Sequence, residues 1–558
     1  MRLKLGILSL GLWSVIQGVY AAPDANTVRV IIKYKQSAFT LNTLKTQITQ
    51  STHLPIKAMK PMANGAFSLI LDTQKASFAK NTDASEEVIA QLRKNPNVLY
   101  AVKDRVGYIK PVLGPVMPDP VDELSHANQW NQFKRPGGIL LESEPGKKDG
   151  AWLYTTGESK KEKDQVVVAV LDTGITLNEG IVNSLVKDEE GQPFGWSFAE
   201  NNDQIIDDTE SYHGTHVSGI IAGYGEVMSG VGPDLKVLTV KISNAEGMFY
   251  ESAVINGIYW TVGKEVPGAP VNKHPAKVLN MSFGVDEKPG KEIDYCDEAL
   301  QEAITFARKK GAVIAAAAGN DNVWEHYSAP AICNGTMRIA STGPEGLRAY
   351  YSNYGPAITF AAPGGDQRYG ISGAILSTVN PEGGYHNSGY DFYQGTSMAA
   401  PHVAGVAGLL YAVAPKLKPE KVEQILYTTT HDFGKSTNDD KSCEGPKPCG
   451  HGILDAKAAV KAVVEDYNLL FSAPKLTELG VETCGKGLLQ GSKQIQSGDS
   501  VWVQTQASCE KESVYQHPHI EQAKDGTIYA HYGNATYQLE QSAFTACKVI
   551  GFDGVGCK

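Results

Sequence analysis

Three short segments carry residue types that together could perform nucleophilic catalysis. Asp172 ends an apolar run in the segment VVVAVLDTG, and His213 begins the segment HGTHVSG. Ser397 precedes an apolar stretch in the segment GTSMAAPHVAG. A histidine can accept the proton of a serine hydroxyl while a carboxylate orients the imidazole, and this makes the serine a nucleophile. The chemistry predicted by these residues is attack on a carbonyl carbon.

Each of the three residues also has an alternative explanation. Asp172 could cap a turn. The D-T-G triplet also occurs in aspartic proteases, which need two facing carboxylates, but the nearest second segment, at Asp72, lacks the glycine. His213 and His216 are spaced like metal ligands, but no third ligand stands in a matching frame. Ser397 could simply be the N-cap of a helix.

The order of the residues bears on one more alternative. The segment around Ser397 also resembles the nucleophile turn of α/β-hydrolases, where the chain order is serine, acid, histidine. Here the order is Asp172, His213, Ser397, which disfavours an α/β-hydrolase. Asn320, at the end of the run AAAAGN, adds a side-chain amide that could donate to an oxyanion, although a turn-forming asparagine would look the same.

The elements that must position these residues alternate between strands and helices. Five apolar runs predict strands, at residues 166–171, 236–242, 277–281, 312–318 and 337–341. Residues 297–310 predict an amphipathic helix and residues 403–413 a buried one. The alternation predicts an α/β fold around a parallel sheet, from about Gln129 to Asp466. Such sheets bind ligands beyond the carboxyl ends of their strands, where Asp172 and Asn320 are expected.

The two ends of the chain differ from this central part. Residues 1–21, with a basic start and an apolar stretch, are typical of a secretory signal peptide, so the protein is expected to be secreted. No later stretch predicts stable membrane insertion. Residues 26–104 predict a small α+β unit, with strands at 28–34, 67–71 and 98–102 and a helix at 86–94. Beyond about Leu470, alternating segments at 500–504 and 527–539 predict a small β domain.

The composition is that of a globular, core-forming protein. The chain has 558 residues, of which 42% are hydrophobic and 20% charged, and this suits two or three core-forming domains. The net charge of -10 disfavours a nucleic-acid partner. Eight cysteines without the paired spacing of a zinc site predict disulfides, whose connectivity stays open. Proximity in the sequence suggests the pairs Cys443–Cys449, Cys296–Cys333, Cys484–Cys509 and Cys547–Cys557.

Taken together, five segments resemble those of the subtilisin-like serine proteases, the subtilases. VAVLDTGI resembles the family's aspartate segment, and HGTHVSG resembles its histidine segment, with Ser218 where alanine is more usual. AAAGN resembles the oxyanion segment, GTSMAAPHVAG the serine segment, and NMSFG at residues 280–284 the substrate-binding strand. The resemblance extends from about Gln129 to Asp466 and implies a subtilisin-like, doubly wound parallel sheet.

The resemblance implies a catalytic role for four residues. Ser397 would be the nucleophile, His213 the base and Asp172 the residue that orients the imidazole. The side-chain amide of Asn320 and the backbone N–H of Ser397 would bind the oxyanion.

It also implies a substrate-binding cleft. Ser282, Phe283 and Gly284 would pair with extended substrate backbone. Ala317 and Gly319 would line the primary specificity pocket, where small residues imply broad specificity with a preference for apolar side chains.

The family's domain organisation would divide the chain into four parts. These are a signal peptide (1–21), an inhibitory propeptide (22–112), a catalytic domain (113–468) and a C-terminal disulfide-tied β domain without an assigned role (469–558). The propeptide would act as an intramolecular inhibitor and be removed autocatalytically between about Tyr108 and Val116.

Calcium is common in the family, so a structural calcium ion is expected without assigned ligands. An oxygen-rich loop upstream of His213 contains Asn201, Asn202, Asp203, Asp207 and Asp208. A solvated acidic loop would have the same composition.

The predicted function is a secreted serine endopeptidase that hydrolyses peptide bonds of polypeptides through an acyl-enzyme and is made as a zymogen. The alternative is a catalytically inactive surface-binding protein on the same fold, because fold does not imply function. The presence of all four catalytic residue types favours the enzyme.

Overall fold

The computed structural model describes most of the chain up to residue 472. The described residues are 26–35, 40–74, 76, 83–109, 112, 124–133, 136–159, 164–286, 295–324, 329–380, 382–383 and 388–472. Seven strands are described between residues 477 and 557. From residue 465 onward only the backbone is described, and the predicted signal peptide lies outside the described residues.

The first described unit is a four-stranded antiparallel sheet with two helices. Its elements in chain order are β1 (Thr27–Tyr34), α1 (Leu41–Thr52), β2 (Ile56–Pro61), β3 (Ala66–Asp72), α2 (Ala84–Arg93) and β4 (Val98–Lys103). The strand order is β2-β3-β1-β4. Val30 of β1, Ile48 of α1 and Leu92 of α2 belong to one buried core, as apolar patterns of period 2 and 3.6 require.

The central unit follows. Its elements in chain order are β5 (Val106–Tyr108), β6 (Val167–Asp172), β7 (Gly195–Ser197), α3 (His213–Ala222), β8 (Lys236–Lys241), β9 (Met248–Tyr250), α4 (Glu251–Thr261), β10 (Val278–Met281), β11 (Val285–Asp286), α5 (Glu298–Lys309), β12 (Val313–Ala317), β13 (Met337–Thr342), β14 (Phe360–Pro363), β15 (Ile375–Val379), β16 (Gly389–Tyr393), α6 (Thr396–Val413), α7 (Pro419–Thr428) and α8 (Ala456–Ser472). Seven of these strands form a parallel sheet in the order β14-β13-β12-β10-β6-β8-β7.

Helices cover both faces of this sheet, so its central strands are buried on two sides. Val168 and Val170 of β6 belong to the core formed with α3 and α6. Ala169 and Leu171, which alternate with them, belong to the core formed with α4 and α5. This is why the strand is an unbroken apolar run rather than an alternating one.

Helix α5 has the ends that its sequence predicts. The side chain of Asp297 accepts hydrogen bonds from the backbone N–H groups of Ala299 and Leu300, which caps the first turn. Arg308 and Lys309 lie in the last turn, where positive charge is favourable. Helix α6 is long and apolar enough to cross a membrane, but 89% of its apolar window is buried inside the fold, which makes it a core helix.

The strands and helices predicted in the first two units are confirmed, with ends that differ by one or two residues. The buried helix predicted at 403–413 begins earlier, at Thr396. In these two units the sequence did not predict α1, β2, β5, β7, β9, α4, β11, α7, α8 or the strands from β14 to β16. The parallel sheet with helices on both faces confirms the α/β fold class.

Two disulfides join described cysteines, Cys296 to Cys333 and Cys443 to Cys449. Both pairs were suggested by proximity in the sequence. Strands β17 (Thr477–Glu482), β18 (Ser500–Gln506), β19 (His519–Gln522), β20 (Ile528–Tyr532), β21 (Ala535–Leu539), β22 (Cys547–Gly551) and β23 (Gly554–Cys557) form two further sheets. Cys547 and Cys557 are register partners in this last part, and the remaining two cysteines lie outside the described residues.

Candidate active site

Asp172 and His213 meet at the carboxyl end of the central sheet. Asp172 is the last residue of β6, and His213 is the first residue of α3. His213 Nδ1 lies 2.8 Å from Asp172 Oδ1, and both side chains are buried. Because a carboxylate oxygen can only accept, Nδ1 carries the proton, and Nε2 of the neutral ring is then able to accept one.

The turn after β6 holds the start of α3 against the sheet. Gly214 N donates to Thr173 Oγ1 at 2.8 Å, and Thr173 N donates to Asp172 Oδ1 at 2.8 Å. A Cβ atom on Gly214 would collide with the carbonyl oxygen of Gly174, so this close approach needs glycine. Tyr212, directly before the helix, has a left-handed φ of 46°, which costs a non-glycine residue about 1 kcal/mol. The histidine is therefore presented by a turn whose geometry is closely constrained.

The charges around His213 favour its protonated form. Burial lowers the pKa of His213, but the charge of Asp172 and the hydrogen bond to it outweigh that effect, and the charge of Asp207 adds to them. The pKa of His213 therefore lies above its ordinary value. Asp207, which the sequence suggested only as part of a calcium loop, is buried and accepts hydrogen bonds from Thr209 and Thr215. A second buried carboxylate thus belongs to the surroundings of the candidate base.

Ser397 lies in the first turn of α6 and is held by Ser282, the residue that directly follows β10. Ser397 Oγ donates to the Ser282 carbonyl at 3.0 Å, and Ser282 Oγ donates to the Ser397 carbonyl at 2.8 Å. Pro401 has no N–H to offer to the carbonyl four residues back, which leaves that carbonyl available to Ser282. His213 Nε2 has no hydrogen-bond partner among the described residues. In this structure the serine hydroxyl is bonded to Ser282 and not to the histidine.

Asn320 and the backbone of Ser397 face the same space. Asn320 Oδ1 accepts from Thr396 N at 2.8 Å, and because a backbone N–H can only donate, the atom in this contact must be the amide oxygen. The amide nitrogen is left for another partner. A Cβ atom built on Gly395 would lie 3.7 Å from Asn320 Nδ2, 3.6 Å from Ser397 N and 3.4 Å from Val112 Cγ2. Two N–H donors and one apolar side chain therefore surround the same point.

The predicted substrate-binding residues lie at the ends of two neighbouring strands. Residues 282–284 connect β10 to β11, and Phe283 is buried with its ring edge-on to Phe249, the centroids being 5.0 Å apart. Ala317 is the last residue of β12, next to β10 in the sheet. Gly319, with a φ of 105°, turns the chain beyond it.

The short strand β5, N-terminal to the parallel sheet, pairs with the chain that follows the predicted substrate-binding residues. Strand β5 lies between β11 and β9 with antiparallel pairing to both. The next residue, Ile109, is buried and donates its N–H to the Gly247 carbonyl at 2.9 Å. Three residues later, Val112 approaches Gly395 as described above, whereas residues 110, 111 and 113–123 lie outside the described part of the chain. Residues 106–109 thus pair beside the predicted substrate-binding residues, and Val112 lies beside Gly395, the residue before α6.

Asp104 and Arg105 attach this strand to the ends of two helices. Asp104 Oδ1 accepts from the first-turn N–H of Ser252 in α4 at 2.8 Å. Arg105 donates to both carboxylate oxygens of Glu251 at 2.6 and 2.8 Å and to Asp297 Oδ2 at 2.6 Å, with all three side chains buried. Burial raises the pKa of Glu251 to about 8, although Arg105 opposes this. The sequence did not predict this cluster, and its only signal was the adjacent pair Asp104 and Arg105, one residue beyond the predicted strand 98–102.

His216 is structural. Its Nε2 faces the carbonyl oxygens of Ile375 and Asp391 at 3.1 and 3.2 Å, and its ring stacks on Tyr393 with a centroid distance of 4.3 Å. Burial lowers the pKa of His216 to about 3, so the ring is neutral. A metal-binding role for the H-x-x-H spacing is not supported.

The loop suggested for calcium does not converge on a cation site. Asp208 forms an ion pair with the buried Lys241, whose Nζ also donates to the carbonyls of Thr173 and Ile206, each at 2.9 Å. Asp207 accepts hydrogen bonds from Thr209 and Thr215. Within the described residues, no group of three or more His, Cys, Asp or Glu side chains could hold a metal ion. In this loop Asp208 is therefore paired with an ammonium group, and the structural calcium ion stays a prediction without assigned ligands.

Comparisons with known proteins match this chain to one family. The sequence profile of the Subtilase family matches residues 163–452, which include all four candidate catalytic residues. The extracellular basic protease of Dichelobacter nodosus is 30% identical over 487 residues, covering 81% of this chain and 73% of that protein. The extracellular protease of Xanthomonas campestris pv. campestris is 30% identical over 494 residues, covering 82% and 77%.

A solved structure gives the same result for the fold. A protease from Pseudoalteromonas arctica is 35% identical in sequence and superposes with a TM-score of 0.52. The match covers 60% of this chain and 97% of that protein.

Proposed function

The chain belongs to the subtilase family of serine proteases, and on this premise we propose that it is a secreted endopeptidase with Asp172, His213 and Ser397 as its catalytic triad. The observation that carries the proposal is the buried hydrogen bond from His213 to Asp172, at the end of the sheet where α3 packs beside α6 and its Ser397. Two relatives named as extracellular proteases support secretion, as does the signal peptide predicted at residues 1–21.

In the proposed reaction, the Ser397 hydroxyl turns from the Ser282 carbonyl to His213 Nε2. Nε2 accepts the hydroxyl proton as Oγ attacks the scissile carbonyl carbon, and the imidazolium then gives this proton to the leaving amine, so that an acyl-enzyme forms. A water molecule attacks the acyl group in the second half of the reaction, with His213 again as the base. Asp172 stabilises the imidazolium in both halves, in keeping with the raised pKa of His213.

Asn320 and the Ser397 N–H are the proposed donors to the oxyanion. The bond from Thr396 fixes which way the Asn320 amide faces before any substrate arrives. Donors that are already oriented stabilise the developing charge without reorganisation during the reaction.

We further propose that residues 22–112 are the inhibitory propeptide and that the enzyme cuts its own chain after Val112. Support comes from the position of Val112 against Gly395, beside both proposed oxyanion donors. The bond between Val112 and Leu113 would then be the one presented to Ser397. The proposed catalytic domain is 113–468 and the C-terminal domain 469–558, although α8 continues to Ser472.

The proposed substrates are polypeptides bound in extended form, with a preference for apolar side chains before the cleaved bond. The small residues Ala317 and Gly319 leave room beside β12. The apolar residues Ile109 and Val112 occupy the groove in the precursor.

The test compares the wild-type precursor with Ser397→Ala, following intact mass over time with and without a fluorophosphonate probe. The wild type should release its N-terminal segment, begin at Leu113 and take one probe molecule at Ser397, whereas the variant should stay whole and unlabelled. Ser218→Ala is a matched control and should behave like the wild type. A folded wild type that keeps its full length and takes no probe would overturn the proposal in favour of an inactive binding protein.

A further inference from the structure

Gly107 is a strand residue that has no room for a side chain. A Cβ atom built there would lie 2.8 Å from the Gly284 carbonyl oxygen and 2.8 Å from Phe249 Cε1, with Phe249 Cζ closer still. Its backbone is ordinary extended strand, so the requirement for glycine comes from packing and not from φ. The atoms that would obstruct this Cβ belong to Phe249 and Gly284 of the central unit and not to the N-terminal unit.

The strand cannot move sideways to escape this contact. Gly107 is register partner to Val285 on one side and to Phe249 on the other. Phe249 is 1% exposed and is held edge-on by Phe283. A shift toward either edge would break the pairing on the opposite edge.

The neighbouring positions are different. Val106 and Tyr108, one residue to either side of Gly107, are only partly buried, as expected because successive strand residues point to opposite faces. Ile109 is buried and fills an apolar site. These three positions hold side chains, whereas at Gly107 even a Cβ atom would meet the ring of Phe249.

We propose that Phe249 determines specificity: the cleft selects polypeptides with glycine at the sixth residue before the cleaved bond. Counting back from Val112 as the first residue, Gly107 is the sixth. The inference rests on the proposed function and on cleavage after Val112. A protein substrate that follows the same course meets the same ring, so any larger residue at this position must displace Phe249 or give up pairing.

The test uses the processed enzyme and its Phe249→Ala variant with internally quenched peptides of the sequence RVGYIKPVLGPV, residues 105–116. One peptide keeps the glycine, a second carries Gly107→Leu, and a control carries Val106→Leu. Each enzyme's kcat/KM is divided by its own value on a chromogenic IKPV tetrapeptide, residues 109–112, which ends before the position in question.

In the wild type, Gly107→Leu should lower the relative kcat/KM about 10- to 100-fold, as forced overpacking predicts, and Val106→Leu should change it less than about threefold. In Phe249→Ala the penalty for leucine should fall to about threefold or less, with the Gly284 carbonyl as the remaining obstruction. Equal cleavage of the glycine and leucine peptides by the wild type would overturn the proposal, and an unchanged preference in Phe249→Ala would exclude Phe249 as its cause. If the tetrapeptide is not cleaved either, the proposed function fails and this inference fails with it.

Discussion

Replacing Arg105 with alanine should loosen the N-terminal unit from the central unit. The side chain of Arg105 is 1% exposed and lies between Glu251 and Asp297, which are 0% and 3% exposed. Alanine would leave two buried carboxylates without their cation. Breaking a buried ion pair in this way costs about 3–5 kcal/mol.

Arg93 provides a matched control at the same interface. It pairs with Glu298 of α5, but the two side chains are 48% and 54% exposed. Exposed ion pairs contribute about 0–1 kcal/mol. The two alanine variants therefore compare the loss of a buried and of an exposed ion pair across this interface, and Arg93→Ala also removes a hydrogen bond to the Ala101 carbonyl within the N-terminal unit.

The assay is limited digestion by trypsin under native conditions, with Ser397→Ala in every protein to prevent self-cleavage. When opening is fast, the rate of cutting in the N-terminal unit follows the population of the open form. At pH 9, where Glu251 is ionised, a loss of about 3–5 kcal/mol corresponds to about 140- to 3,700-fold faster cutting for Arg105→Ala, and Arg93→Ala should be less than about fivefold faster.

The effect should also depend on pH. Burial raises the pKa of Glu251 to about 8, so below this value the carboxyl group is largely protonated and leaves little unpaired charge when Arg105 is removed. The penalty of Arg105→Ala should therefore be larger at pH 9 than at pH 6. Equal cutting rates for Arg105→Ala and Arg93→Ala, or a penalty that shrinks as the pH rises, would refute the reasoning.

Three further predictions concern the site itself. Asn320→Ala should lower kcat about 100- to 1,000-fold with little change in KM, a magnitude known from subtilisin, a member of the same family; a change confined to KM would contradict its role. The kcat/KM profile should fall as the pH drops through the raised pKa of His213, and Asp207→Asn should move this fall to lower pH because it removes a charge that favours the imidazolium; an unmoved profile would exclude Asp207 from that effect. In a denaturant titration of the inactive precursor, Ser282→Ala should lower the free energy of unfolding by about 1–3 kcal/mol, because it leaves the buried Ser397 carbonyl without its hydroxyl donor. The control is Ser218→Ala, which should lower it by less than about 0.5 kcal/mol, because the Ser218 hydroxyl donates to a carbonyl within its own helix. Similar losses in the two variants would contradict the assigned contacts.

The sequence was sufficient to predict the main strands and helices that carry the candidate residues, because that information is local. An unbroken apolar run followed by Asp172 predicts a doubly buried strand with an acid at its end, and the structure has that strand one residue further along. The apolar stripe and charged ends of residues 297–310 predict α5 for the same reason. Periodicity and end signals are properties of neighbouring residues, so they can be read without knowing what the element packs against.

The composition of the oxygen-rich loop upstream of His213 left two interpretations open, because composition does not say which group each carboxylate contacts. Asp208 meets Lys241, 33 residues away, and the ammonium group takes the place that a cation could have had. Nothing in the local sequence distinguishes a carboxylate that meets an ammonium group from one that meets a metal ion.

The sequence by itself thus determined which residues could act and on which elements they lie. Only the tertiary structure decided which of them meet: Ser282 and Ser397 are 115 residues apart in the chain, and Arg105 and Glu251 are 146 apart. The same is true of Gly107, whose need for glycine arises from a ring on another strand. Contacts of this kind depend on how the layers pack, and packing leaves no periodic pattern in the chain from which it could be predicted.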